Sequence, residues 1–246
     1  MTDALDVLVV ATATVLATGL GALPVIASGA AAERLRPWLD GLVIGVMGVA
    51  AVVGLLRPAF QTGSPPAIAV GIALGAGGLW WARRALRHHV PGEGDAPEAE
   101  RTALLAFGVL FVHSLPEGLA LGSALAAQGS VATLVAVAIA IQNIPEGTVT
   151  AIALRRAGRS PAVQLGAATL TSVPQIPGAL LAWLAVDLVA AILPASLAAA
   201  GAAMLLLVCV DLVPQGAHAS SPARVVGGAV AGAAAMIALA VALGGT

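Results

Sequence analysis

The sequence has few of the residues from which soluble domains and their usual metal or redox sites are built. It has no tyrosine and a single cysteine, and only 9% of its 246 residues are charged, whereas a soluble domain carries about 25%. The lone Cys209 excludes an internal disulfide and a cysteine-based metal cluster. Of the whole chain, 59% is hydrophobic and the mean hydropathy is +1.00. We therefore expect an integral membrane protein without a soluble domain.

Eight long apolar stretches predict an all-α, polytopic membrane protein in a single domain, residues 1–246. A bilayer core requires about 20 apolar residues per helix. On that criterion the predicted helices are 5–28, 38–57, 66–87, 102–126, 131–155, 161–186, 189–213 and 224–244. The polar segment 88–101 contains prolines, glycines and four acids, a composition typical of disorder.

Small residues and arginines add two expectations about this bundle. Pairs of glycines four residues apart, at 41/45, 71/75, 118/122 and 228/232, fit closely packed helices in lipid, although each pair alone is weak evidence. Ten of the eleven arginines fall on one side of the predicted arrangement, with only Arg57 on the other. Since basic residues accumulate in cytoplasmic loops, we expect both termini outside and an antiparallel hairpin of helices 4 and 5.

Two matched hexapeptides, one on each helix of that hairpin, carry most of the functional signal. They are His113-Ser114-Leu115-Pro116-Glu117-Gly118 and Gln142-Asn143-Ile144-Pro145-Glu146-Gly147. A carboxylate inside a membrane is costly and usually faces a partner or a water-filled path. The spacing of four places His113 with Glu117, and Gln142 with Glu146, on one helix face each. At about 1.5 Å per residue, position 113 lies about 17 Å up helix 4 and position 142 about 17 Å down helix 5. Both pairs therefore meet near the middle of a core about 30 Å thick.

This donor set predicts a cation site at the membrane midplane. Imidazole, two carboxylates and an amide oxygen suit a divalent transition metal, with zinc fitting well. Pro116 and Pro145 each remove a backbone donor and are expected to kink their helices, as in the broken helices of transporters. The alternative is a pair of kinked helices whose glutamates bind neighbouring basic residues, but no basic residue lies mid-helix.

The doubled motif resembles the helix 4 and helix 5 signatures of the ZIP divalent metal transporters, most closely the bacterial GufA-like branch. The segments from Gly45 to Ala59 and from Ala200 to Pro214 resemble the family's second and seventh helices. The resemblance implies a primary metal site at His113, Glu117, Gln142 and Glu146. It adds Met47 as a thioether ligand, a residue that is equally well explained as core filler.

Many family members hold a second metal, and the resemblance maps that site onto Ser114, Asn143 and Gln175. Ser114 stands where the family has Asn or Asp, and Gln175 stands where it has Glu. We therefore expect the second site to be degenerate and the chain to hold one metal. A second divalent cation would leave about two uncompensated charges in low dielectric. Asp211 and His218 are candidates for an exit path, and His88 and His89 for another metal contact. A solvated helix end and a solvated histidine pair are the simpler explanations.

The leading hypothesis is a carrier that moves a divalent metal toward the cytoplasm, across the bacterial cytoplasmic (inner) membrane. The expected ion is Zn²⁺, with Cd²⁺, Fe²⁺ and Mn²⁺ as alternatives. The chain is not expected to be an enzyme. An intramembrane zinc hydrolase is one alternative, but the sequence has no His-Glu-x-x-His and no spare midplane acid to act as a base. A transport-dead metal sensor is another. The expected partners are the metal ion and lipid, with a homodimer left open and no nucleic acid.

Overall fold

The computed structural model describes residues 3–28, 30–89, 97–127, 129–185 and 189–242. These residues fold into eight helical segments and include no strand, which confirms the all-α prediction. The unbroken helices are α1 (Ala4–Ser28), α3 (Pro65–His89), α4 (Glu98–Ala127), α5 (Gly129–Arg156) and α8 (Pro222–Ala242). The other three are interrupted: α2 (Ala30–Val49, Ala50–Leu56 and Arg57–Thr62), α6 (Pro161–Thr171 and Gln175–Leu184) and α7 (Val189–Leu207, Val208–Leu212 and Val213–Ala217).

Seven of these helices are long and apolar enough to cross a membrane. The eighth, α6, falls short because a turn at residues 172–174 divides it into pieces of 11 and 10 residues. Pro174 directly precedes the second piece, and its missing N–H explains why the helix does not run straight through.

Proline also explains the interruptions in α2 and α7. The middle part of each helix is π-helical, at Ala50–Leu56 and Val208–Leu212, and each ends just before a proline, Pro58 or Pro214. A proline ring clashes with the carbonyl four residues earlier in a regular α-helix. The wider π-turn relieves that clash and allows the helix to continue.

The helices pack most extensively as four pairs: α1 with α5, α2 with α8, α3 with α7, and α4 with the second part of α6. Glycines bring the backbones of each pair together. All four Gly-x3-Gly pairs lie at such crossings: a β-carbon on Gly41, Gly71, Gly122 or Gly228 would fall within 2.4 Å of a carbonyl oxygen of the facing helix. Close approach of this kind is what small residues provide in membrane proteins.

Two predicted boundaries are wrong. The second helix begins at Ala30 rather than at residue 38, so that Pro37 lies inside it; an ion pair one turn apart, Arg36 with Asp40, supports this extension. The segment 88–101 is shorter than predicted, because α3 reaches His89 and α4 starts at Glu98. Glu98 and Glu100 occupy the first turn of α4, where acids are favoured by the helix dipole.

We expect the glycine crossings to be sensitive to a single methyl group. A β-carbon at Gly75 of α3 would lie 2.0 Å from the carbonyl oxygen of Ala199 on α7. Gly75→Ala should therefore destabilise the protein by about 1–3 kcal/mol, the usual range for overpacking. The measurement is the midpoint of thermal unfolding in detergent, followed by size-exclusion fluorescence.

Gly77 of the same helix is the matched control, since a β-carbon there meets nothing within 4 Å. Gly77→Ala should leave the midpoint unchanged or raise it, because alanine favours the helix by about 0.5–1 kcal/mol over glycine. Equal midpoints for the two variants would contradict the packing described for α3 and α7.

Candidate metal centre

The two hexapeptides bring their polar side chains together in the interior, as their spacing predicted. His113 and Glu117 lie one turn apart on α4, and Gln142 and Glu146 lie one turn apart on α5. All four are at most 1% exposed. One ligand atom each from His113, Glu117 and Glu146 lies within 4.8 Å of the others. The α4–α5 hairpin turns at Gly129, whose positive φ of 79° favours glycine.

Several ligand atoms of this group have no hydrogen-bond partner in the described structure. They are both ring nitrogens of His113, Oε1 of Gln142 and both carboxylate oxygens of Glu146. Buried polar atoms are almost always paired, so a cluster without protein partners is what a binding site for an ion or water would present. Nitrogen and oxygen donors with two carboxylates fit a divalent ion such as zinc.

Glu117 differs from Glu146 because protein donors hold both of its oxygens. The Nε2 of Gln142 donates to Oε1, and the Nε2 of Gln175 on α6 donates to Oε2 at 2.7 Å. His113 Nε2 also lies 3.3 Å from Oε1. Its hydrogen-bond donors are thus two neutral amides, with an imidazole close by. One carboxylate of the pair is already oriented by the protein, and the other is free to accept a cation.

The predicted second site is brought together only in part. Asn143 and Gln175 form a reciprocal amide pair, with N···O distances of 3.1 and 3.2 Å. Ser114 is also buried, but its hydroxyl group donates to the backbone carbonyls of Leu110 and Thr171, at 2.9 and 2.7 Å. The amide pair supplies one hydrogen-bond donor to Glu117 where the resemblance implies metal ligands.

Met47 is fully buried in the main apolar cluster of the bundle. This placement suits core filler, and a thioether ligand at this position stays a prediction. Neighbouring hydroxyl groups, in contrast, were missed by the sequence reasoning. Thr14 of α1 donates to Oε1 of Gln175 at 2.8 Å, and Thr18 shares a hydrogen bond of 2.6 Å with Ser172. Their spacing of four, within an apolar helix, was the available signal.

The two candidate exit residues whose side chains are described, Asp211 and His218, have separate partners. Asp211 of α7 is bound by Arg83 of α3, whose guanidinium also lies 5.9 Å from the ring centroid of Trp80. His218 is exposed and its Nδ1 lies 2.8 Å from the carbonyl oxygen of Pro214. The side chains of His88 and His89 lie outside the described residues. Asp211 therefore has an ion-pair partner instead of the water contact or metal that the sequence suggested.

Comparison with known proteins places the chain in a family. No protein-family model matches it. It is 34% identical over 212 residues to the zinc transporter GufA of Myxococcus xanthus, which covers 81% of this chain and 84% of that protein. It is also 32% identical over 232 residues to a protein of Arabidopsis thaliana named for zinc transport. That match covers 91% of this chain, which spans 36% of the plant protein's length.

Both relatives are named for zinc transport, and neither name describes an enzyme. The length and identity of the GufA match, together with the helical bundle and the paired motifs, agree with the resemblance seen in the sequence. The chain belongs to the ZIP-like family of zinc transporters.

Proposed function

We propose that this protein carries a divalent transition metal, with zinc as the first candidate, across the membrane through the site on α4 and α5. One observation carries the proposal most directly: one ligand atom each of His113, Glu117 and Glu146 lies within 4.8 Å of the others, and the buried ligand atoms of His113 and Glu146 have no hydrogen-bond partner. The names of the two relatives support zinc as the ion. Cd²⁺, Fe²⁺ and Mn²⁺ offer similar charge and ligand preferences and are the competing substrates.

Charge explains why the site would bind and release such an ion. Two ionised carboxylates in a low-dielectric interior are stabilised by one divalent cation, which neutralises both charges. Glu146 offers two open oxygens. The Gln142 amide now donates to Glu117, and by turning it would present its unpartnered Oε1 to the ion. When the ion leaves, the Gln142 amide can return to Glu117, and this alternative partner favours release.

We further propose that both termini lie outside and that the metal moves toward the cytoplasm. The arginine asymmetry supports the orientation, and the family resemblance supports the direction. In a bacterium the membrane would be the cytoplasmic (inner) one. Loops 157–160 and 218–221 would then be cytoplasmic, and the turn at 63–64 external.

The site should hold a single metal. Gln175 places an uncharged amide against Glu117, so a second cation there would meet no additional carboxylate. The two negative charges of Glu117 and Glu146 are already matched by one divalent ion. The second family site is therefore proposed to be degenerate in this chain.

Removing either carboxylate should abolish transport. Glu117→Gln and Glu146→Gln keep the shape of the side chain but leave one negative charge for a divalent ion, which is insufficient in a low-dielectric site. His113→Ala should slow transport less, because it removes a neutral ligand. The measurement is ⁶⁵Zn uptake into proteoliposomes that contain equal amounts of folded protein.

Glu100→Gln is the control for these variants, because Glu100 pairs with Arg159 away from the site. It should transport at the native rate. Native rates in the Glu117 and Glu146 variants would contradict the proposed site. Zinc binding without any uptake by the native protein would instead favour a metal sensor.

The orientation is tested by cysteine labelling in a Cys209→Ser background. Ser64 and Ser220 are both exposed and lie in turns between helices. Ser64→Cys should react with a membrane-impermeant maleimide added outside intact cells. Ser220→Cys should react only after the membrane is opened. The reverse pattern would contradict the proposed orientation, and labelling of both from outside would contradict the placement of α3 to α7 between them.

Metal content tests the stoichiometry. The native protein should bind about one zinc per chain, as two carboxylates neutralise one divalent ion. Gln175→Glu adds a third carboxylate next to Glu117 and should allow a second zinc to bind. Gln164→Glu, a buried change elsewhere on α6, should not. Elemental analysis of purified protein after removal of free metal gives the ratio. Two zinc ions in the native chain would contradict the single-site proposal.

A further inference from the structure

A chain of buried hydrogen bonds connects α1 to the metal centre. The hydroxyl group of Thr14 donates to Oε1 of Gln175 at 2.8 Å. The Nε2 of Gln175 in turn donates to Oε2 of Glu117 at 2.7 Å. Thr14 is 1% exposed and the other two side chains are fully buried. Thr14, a neutral residue on α1, is thus linked to the carboxylate of Glu117 through two successive hydrogen bonds.

The chain has a fixed direction because an amide has one donor end and one acceptor end. Gln175 must present its NH₂ group to the carboxylate of Glu117, since its carbonyl oxygen would be repelled there. Its Oε1 then points to Thr14 and to the Nδ2 of Asn143, which donates at 3.1 Å. If the amide turned over, both ends would lose favourable contacts. Thr14 and Asn143 therefore hold Gln175 in the orientation that Glu117 needs.

Thr14 holds the second amide as well. Its backbone carbonyl accepts a hydrogen bond of 2.7 Å from the Nδ2 of Asn143. The hydroxyl proton of Thr14 has one other acceptor within reach, the carbonyl of Ala11 at 2.8 Å. Donation to Gln175 is the arrangement that leaves Oε1 of Gln175 facing two donors. The orientation of both amides thus depends on one threonine.

The consequence reaches the carboxylate itself. With Oε2 held by Gln175, Glu117 has its plane fixed and keeps Oε1 on the side of His113, 3.3 Å from the ring nitrogen. Glu117 is thereby prepared to give one oxygen to an ion that Glu146 and His113 also reach. Groups that orient a ligand in this way typically change metal affinity by about 10–100-fold when they are removed.

We propose that Thr14 is a positioning residue for metal binding, acting through Gln175 on Glu117. This inference rests on the proposed function, since it assigns α1 a part in binding the same ion. The helix that carries Thr14 contributes no ligand of its own. It packs on both α5 and α6, and so it aligns the helices that hold the two amides.

The test compares zinc affinity in purified, detergent-solubilised full-length protein, by competition with a chromophoric chelator. Thr14→Val removes the hydroxyl group while keeping the branched shape, and we expect zinc to bind about tenfold more weakly. Thr14→Ser restores the hydroxyl group and should bind within about twofold of native protein, a difference below the scatter expected for such interactions. Thr14→Ala is measured in parallel and should match Thr14→Val, so the result does not depend on the folding of one variant.

Thr18→Val is the matched control. Thr18 lies one turn further along α1, and its buried hydroxyl group bonds Ser172 at 2.6 Å, with a longer contact of 3.5 Å to the backbone carbonyl of Thr14. Neither contact involves the hydroxyl group of Thr14 or the side chain of Gln175. This variant should lose thermal stability as Thr14→Val does, yet keep native zinc affinity. Equal weakening in the two valine variants would overturn the positioning role, because it would show a general loosening of α1. Native affinity in Thr14→Val would overturn it directly.

A double-mutant cycle tests the route through Gln175. In a Gln175→Met background, Thr14→Val should weaken zinc binding no further, because the connecting amide is absent. A further tenfold loss in that background would overturn the relay. These outcomes all compare variants with a native chain that binds zinc, and so they leave the proposed function standing. A native chain without zinc affinity would contradict the proposed function and the positioning role together.

Discussion

The cost of burying two carboxylates in the middle of a membrane bundle shapes the rest of this structure. Moving an ionised carboxylate out of water costs several kcal/mol even after the protein relaxes. Glu117 and Glu146 are both fully or almost fully buried and close together. The protein treats them unequally. Amide groups hold both oxygens of Glu117, whereas both oxygens of Glu146 have no partner. That asymmetry leaves both oxygens of Glu146 available to a ligand.

The close helix crossings allow the chain of hydrogen bonds from Thr14 through Gln175 to Glu117 to form. A β-carbon on Gly147 would lie 1.7 Å from the carbonyl oxygen of Thr18, and one on Gly118 would lie 2.4 Å from that of Gln175. Without side chains at these positions, α1 approaches α5 and the second part of α6 approaches α4 at backbone contact. Only at such distances can side chains as short as Thr14 and Asn143 reach one another. Larger residues would separate the helices and disconnect Glu117 from α1.

A second buried charge is handled in the opposite way. Arg83 and Asp211, on α3 and α7, pair directly with each other and need no added ion. The guanidinium group also lies over the ring of Trp80, so its charge interacts with both a carboxylate and an aromatic face. This pair holds α3 against α7 at the π-helical part of α7, which contains Asp211. The α4–α5 hairpin differs, because its two carboxylates have no arginine as a hydrogen-bond partner in the described structure and are the proposed ligands of a metal ion.

The sequence by itself determined the helical class, the approximate spans and the four residues of the central group. The length of a hydrophobic run sets each span, and a spacing of four places two residues on one helix face, so both can be predicted without the tertiary structure. The sequence also marked the glycine pairs without indicating which helices they join. The tertiary structure decided the rest: that Ser114 bonds backbone carbonyls, that Asp211 meets Arg83, and that Thr14 reaches Gln175 across 161 positions of sequence. Such contacts depend on which helices cross and at what height, and no local pattern encodes that choice. Pro37 is a further example. Proline usually stands at the start of a helix, but here the residues before Pro37 are already helical, and the proline lies inside α2.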